Sequence, residues 1–113
     1  MSPDHFFEFV LLPSFERTSR GVFRDDEIRA LQWALIENPR AGDVVRGTGG
    51  VRKIRVGLEG QGKSGGGRVI YYFVERRGRI YFLLFYPKNV QTELTAEQKK
   101  QVRNLVALLE KES

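Results

Sequence analysis

Apolar positions along this chain fall into runs whose spacing switches between that of strands and that of helices. Phe6-Phe7-Glu8-Phe9-Val10-Leu11-Leu12 is aromatic and branched and stops at Pro13, which predicts a first strand. Ser14 stands where it would cap a short helix reaching about Arg20 and halted by Gly21. Ile28, Leu31, Leu35 and Ile36 then recur at helical spacing, with Asp25 or Asp26 as the cap and Asn38-Pro39 as the stop. GDVVRGTGG follows as a glycine-punctuated connection. From Arg52 to Leu58 the period drops to two: Ile54, Val56 and Leu58 face one way and Lys53, Arg55 and Gly57 the other, a half-buried strand with a basic outer face. Beyond a glycine-rich loop, Arg68 to Glu75 and Arg79 to Tyr86 are nearly unbroken apolar runs joined by Arg76-Arg77-Gly78, as central antiparallel strands would be. Thr95 with Gln98 makes a capping box for a last helix that carries Val102, Leu105, Val106 and Leu109 on one stripe. This order, β-α-α-β-β-β-α, predicts an α+β fold: a small antiparallel sheet of about four strands with two N-terminal helices and one C-terminal helix.

Composition narrows the class. With 113 residues, 41% apolar and 29% charged, residues 1–113 read as one ordinary globular domain. MSPDHFFEFV carries an acid where a secretory signal has basic residues, and the longest apolar runs, residues 69–74 and 80–86, fall far short of the roughly twenty of a membrane helix. The absence of cysteine excludes disulfides and thiol chemistry, so the expectation is a cytoplasmic protein without a membrane partner. The net charge of +5 is unevenly spread: residues 46–88 hold ten basic side chains against Glu59 and Glu75, a local +8, and the remainder is −3. A basic middle on a mildly acidic domain is the footprint of a polyanion partner, here nucleic acid. Arg76, Arg77 and Arg79 are also explained as residues that solvate a strand edge; the others are not.

GLEGQGKS, residues 57–64, fits the phosphate-loop pattern, but three glycines and a strand-like run follow Ser64. A phosphate loop works by starting a helix there, aiming N–H groups at the phosphates, and three glycines oppose a helix by roughly 1 kcal/mol each. No nucleotide cofactor is therefore expected. GQGKSGGG reads instead as a long hairpin loop, its glycines allowing close approach of RNA and Lys63 adding a mobile charge.

GTGGVRKIRV, then GKSGGGRVIYYF, then IYFLLFYPKN resemble the RelE/HigB family of bacterial toxins, in particular its HigB-like branch, in order and at fitting distances from about Asn38 to the last helix. The resemblance implies a type II toxin-antitoxin system whose toxin cuts mRNA in the ribosomal A site, and whose partners are the ribosome and a co-expressed, HigA-like antitoxin. It places the family's basic strand residues on Lys53 and Arg55, its hairpin arginine on Arg68 and its basic residue after the last strand on Lys88. Other members add an arginine and a tyrosine near the end of that strand and the start of the last helix, where this chain has Asn89 and Leu94-Thr95; Tyr86 stands close by as a substitute.

Cleaving RNA through its own 2′-hydroxyl requires removal of that proton, stabilisation of charge on the phosphorus oxygens and protonation of the departing 5′-oxygen. His5, the single histidine, is expected in the N-terminal strand, at a fraying position outside the basic segment. Glu59 and Glu75 are isolated and Asp25-Asp26-Glu27 reads as a helix start, so neither a metal nor another cofactor is expected. The work falls to lysine and arginine. A lysine serves as base where neighbouring cations and partial burial disfavour its charge, and Lys53 is the candidate. Arg55 and Arg68 would hold the phosphate, and Lys88 would donate the proton or bind backbone. Arg52, Lys63 and Tyr86 are expected to bind RNA. Two rivals stay open: a ParE-like inhibitor of DNA gyrase, against which Lys53, Arg55 and Arg68 argue, and a nucleic-acid-binding module without catalysis.

Overall fold

The computed structural model describes residues 1–58 and 62–112, with the side chains of 62–65 outside that description. A 3-10 turn at Pro3–His5 precedes β1 (Glu8–Leu11), α1 (Pro13–Ser19), α2 (Asp25–Glu37), β2 (Asp43–Val44), β3 (Arg52–Leu58), β4 (Gly62–Val74), β5 (Arg79–Pro87) and α3 (Ala96–Lys111). The α+β class and the three helices are as predicted. The sheet has five strands in the order β1-β5-β4-β3-β2, and it is mixed: β1 runs parallel to β5, Glu8 beside Arg79 and Leu11 beside Phe82. The additional strand, β2, pairs Asp43 with Lys53 and Val44 with Arg52.

Helix starts follow local chemistry. Pro13 does not merely end β1; it opens α1 at the first helical position, where its missing N–H costs nothing, with Leu12 at the cap position. Leu12 N–H donates to Phe82 O at 3.1 Å. Ser14 is thus inside α1 and does not cap it. α2 begins one residue earlier than a cap at Asp25 or Asp26 would allow: Arg24 holds the cap position and the Glu27 carboxylate accepts its N–H at 2.9 Å. In α3 the capping box forms as predicted, Thr95 Oγ1 accepting from Gln98 N–H at 3.1 Å and Gln98 Oε1 from Thr95 N–H at 3.0 Å.

Both faces of the sheet are covered. On one, Phe15, Leu31 and Leu35 from the first two helices and Phe23 from their connection pack on Val69, Tyr71, Ile80 and Phe82. On the other, Val102, Val106 and Leu109 of α3 pack on Ile70, Tyr81 and Leu83. Along β5 the strict alternation breaks once. Ile70 pairs with Leu84 but Tyr71 with Phe82, so Leu83 is an extra residue, and both Leu83 and Leu84 turn to the α3 side. Backbone groups near this bulge are satisfied by α1: Ser14 Oγ donates to Leu83 O at 2.6 Å and Thr18 Oγ1 accepts from Phe85 N–H at 3.0 Å.

The second half of the predicted glycine loop is strand. Residues 59–61 and the Lys63 side chain lie outside the described residues, while Gly62–Val74 is strand throughout, so Lys63 and Ser64 do not open a helix as a phosphate loop requires. Gly66 and Gly67 serve the sheet itself. A side chain on Gly66 would run into Val56 O across a register shift between β3 and β4, and one on Gly67 would lie 2.5 Å from the Phe85 ring.

Candidate nucleic-acid interface

On β3 the alternation holds: Ile54, Val56 and Leu58 pack toward α1 and α2, which turns Lys53 and Arg55 to the α3 side. Register then assembles the site. Arg55 pairs directly with Arg68 on β4, and Arg68 with Tyr86 on β5, so the three side chains stand in one row across the sheet. Lys53 stands two residues before Arg55 on the same face, paired with Ile70. Lys88 N–H donates to Gly66 O at 2.9 Å, extending the β5 pairing so that Lys88 joins the same end of the sheet. The structure therefore gathers Lys53, Arg55, Arg68, Lys88 and Tyr86.

Electrostatics at this end are unbalanced. Like charges directly opposite on antiparallel strands destabilise a sheet, yet Arg55 faces Arg68. Among the described residues, Lys53, Arg55, Arg68 and Lys88 make no salt bridge; Arg68 Nη1 donates to Gly67 O at 3.0 Å. Tyr86 is only 3% exposed, and its hydroxyl donates to Thr92 O at 3.3 Å. Burial pushes its pKa up, opposed by Arg68 and reinforced by Glu93, which keeps the phenol protonated at neutral pH.

Lys53 also lines a cleft of about 340 Å³ whose walls include Asp43, Arg46, Glu93, Leu94 and Lys99. Spacing did not point to Glu93 and Lys99: they flank the Thr95 cap, and only the path of the β5–α3 connection brings them to Lys53. A larger cleft, about 440 Å³, lies between α1 and α2 and holds none of the candidate residues.

Other candidates go elsewhere. Arg52 lies on the opposite face, where Nη1 donates to Gly42 O at 2.8 Å and Arg40 O at 3.2 Å, fixing the segment that leads into β2. His5 is in the 3-10 turn, not in a strand, and its Nδ1 accepts from Ser2 N–H. At the far end of the sheet Arg76 pairs with Glu110 at 2.7 Å and Arg79 with Glu8 at 2.8 Å, and Arg77 donates to Leu109 O, so those arginines serve the fold.

A family model described as "RelE toxin of RelE / RelB toxin-antitoxin system" matches residues 14–113. The chain belongs to the RelE toxin family. The matched segment takes in every residue of the cationic row and leaves β1 outside it. As a RelE toxin the protein is one half of a toxin-antitoxin pair, with a RelB-like antitoxin as its partner. Among the described residues of this RelE toxin, no helix is long and apolar enough to cross a membrane.

Proposed function

We propose that this RelE toxin is a cytoplasmic, ribosome-dependent mRNA endonuclease of the HigB-like branch, held inactive by a HigA-like antitoxin. RelE toxins are in general ribonucleases, and the observation that carries the reading here is the opposed pair Arg55–Arg68. A sheet that sets two guanidinium groups side by side with no carboxylate between them is built to receive an anion.

In the proposed reaction Lys53 takes the proton of the 2′-hydroxyl, the 2′-oxygen attacks phosphorus, and the bond to the 5′-oxygen breaks. The products are a 2′,3′-cyclic phosphate and a free 5′-hydroxyl. Arg55 and Arg68 stabilise the charge gathering on the phosphorus oxygens, and Lys88 returns a proton to the leaving oxygen. The ribosome holds the message in the A site, which supplies the orientation that so small a site lacks. Arg55, Arg68 and Lys88 at one end of the sheet repel a metal ion, and the proposed reaction is metal-independent. Lys63 is assigned to phosphate contact, and Tyr86 to support of Arg68 from the neighbouring strand.

Primer extension on a translated message tests this reading. New, discrete ends that need ribosomes are expected. Inhibition of gyrase supercoiling with no new ends would move the protein to the ParE-like activity, and RNA binding with neither effect would leave a module without catalysis.

A further inference from the structure

The cleft beside Lys53 carries chemistry that phosphate binding does not use. Its cations, Arg46, Lys53 and Lys99, suit a phosphate, yet Asp43 and Glu93 share its wall, and carboxylates repel one. These acids do not neutralise the cations: among the described residues none of the five makes a salt bridge, although Asp43 and Lys53 are direct cross-strand partners. Half-buried Val45 and buried Leu94 give the same cleft an apolar wall on the α3 side. An apolar wall, a cationic rim and two unpaired carboxylate acceptors in about 340 Å³ are the fittings for one nucleotide: flat base, phosphate and base-edge donors.

Position adds to this. Glu93 follows Thr92, whose carbonyl accepts from Tyr86 Oη at 3.3 Å, and Tyr86 is in the row with Arg68, so the cleft that Glu93 lines adjoins the site of proposed cleavage. The segment that carries it is fastened to α3: Gln91 Nε2 donates to Glu93 O at 2.9 Å and to Gln98 Oε1 at 2.7 Å.

We infer that this cleft is a base-reading subsite for the nucleotide next to the scissile phosphate, with Arg46 and Lys99 on its backbone and Glu93, aided by Asp43, accepting hydrogen bonds from an amino-bearing base. A carboxylate only accepts. Guanine, adenine and cytosine offer an exocyclic amino group on the Watson–Crick edge; uracil offers one ring N–H between two carbonyls that a carboxylate repels. The subsite therefore selects against uracil. This presupposes the endonuclease reading for its role in cleavage, though not for nucleotide binding.

Two measurements on the full chain separate these. Titration with AMP, CMP, GMP and UMP, followed by amide chemical shifts, is expected to give saturable changes at Val44, Val45, Leu94 and Lys99. UMP should bind more weakly, and E93Q should remove that difference. On ribosomes programmed with A-site codons that differ in one nucleotide, the wild type is expected to disfavour uracil at one position by about tenfold. E93Q, whose amide both donates and accepts, should narrow that ratio at least about fivefold, while K99A slows all codons alike. Cleavage with unchanged codon ratios in E93Q, or no saturable shifts at the cleft, overturns the subsite. Selective nucleotide binding without any ribosomal cleavage upholds it and overturns the endonuclease reading alone.

Discussion

Arg68 is the side chain on which the proposed chemistry turns, because it stands between Arg55 and Tyr86. If its guanidinium meets charge that exists mainly in the transition state, Arg68→Ala should slow single-turnover cleavage by about a hundredfold or more while ribosome association changes little. Lysine should restore only part of the rate, since a point charge cannot make two parallel hydrogen bonds. Equal losses in cleavage and binding, both vanishing at low salt, would make Arg68 one more phosphate anchor. Tyr86 differs from it in kind. Its ring is buried with Leu84 and Leu94, and the hydroxyl makes a long bond to Thr92 O. Tyr86→Phe keeps the ring and removes only that bond, so cleavage is expected to stay within about threefold, far from the roughly hundredfold of a lost proton donor. A fall of that larger size would put the phenol on the substrate.

α3 is fastened at both ends, by its capping box and by a latch at Glu110. That carboxylate accepts from Tyr72 Oη at 2.6 Å and from Arg76 Nη2 at 2.7 Å. The bond from Tyr72, then that from Arg76, hold the Glu110 carboxyl below its ordinary 4.5; burial first, and the same bond second, push Tyr72 up to about 12. A lowered carboxyl contributes stability that is present above its ordinary value and lost as pH falls through the lowered one; a raised phenol contributes stability present below 10 and lost as pH climbs toward 12. Protection factors for the amides of residues 109–111 are expected to fall at both extremes, ahead of those around Val102, and Glu110→Gln should flatten the acid arm. An acid arm unchanged in that variant would show that the latch does not hold the helix end. The helix itself was legible in the sequence, because a capping box and an apolar stripe are local. The parallel pairing of β1 with β5 was not, since its partner lies some seventy residues away and the run 6–12 reads the same on either edge. Nor was β2, two residues long and held by Tyr71 Oη, which accepts from Gly42 N–H and donates to Pro39 O. Arg52 was legible and misjudged: the alternation that turned Lys53 outward already put Arg52 on the side of Ile54. Glu93 and Lys99 were beyond any periodicity, because a connection's return path decides what they meet.

Composition counts the ten basic residues of segment 46–88 alike, but folding sets some of them at opposite ends of the sheet. At the hairpin between β4 and β5, Arg76 and Arg79 are matched by Glu110 and Glu8. At the other end Lys53, Arg55, Arg68 and Lys88 have no such partner among the described residues. Only unmatched cations release counterions when they meet phosphate, so the two ends should differ in the salt dependence of RNA binding. Each of Lys53→Ala, Arg55→Ala and Lys88→Ala is expected to reduce the slope of log affinity against log salt for single-stranded RNA by about 0.7, the value for one phosphate contact. Arg76→Ala and Arg79→Ala should leave the slope unchanged, although both remove the same charge from the same segment. Fluorescence anisotropy across a salt series measures this directly, and circular dichroism on each variant checks that the sheet survives. Net charge alone would give five equal changes, because at long range every arginine counts alike. If that is what is observed, RNA is attracted by the basic segment as a whole, and the row from Arg55 to Tyr86 is not where the backbone lies.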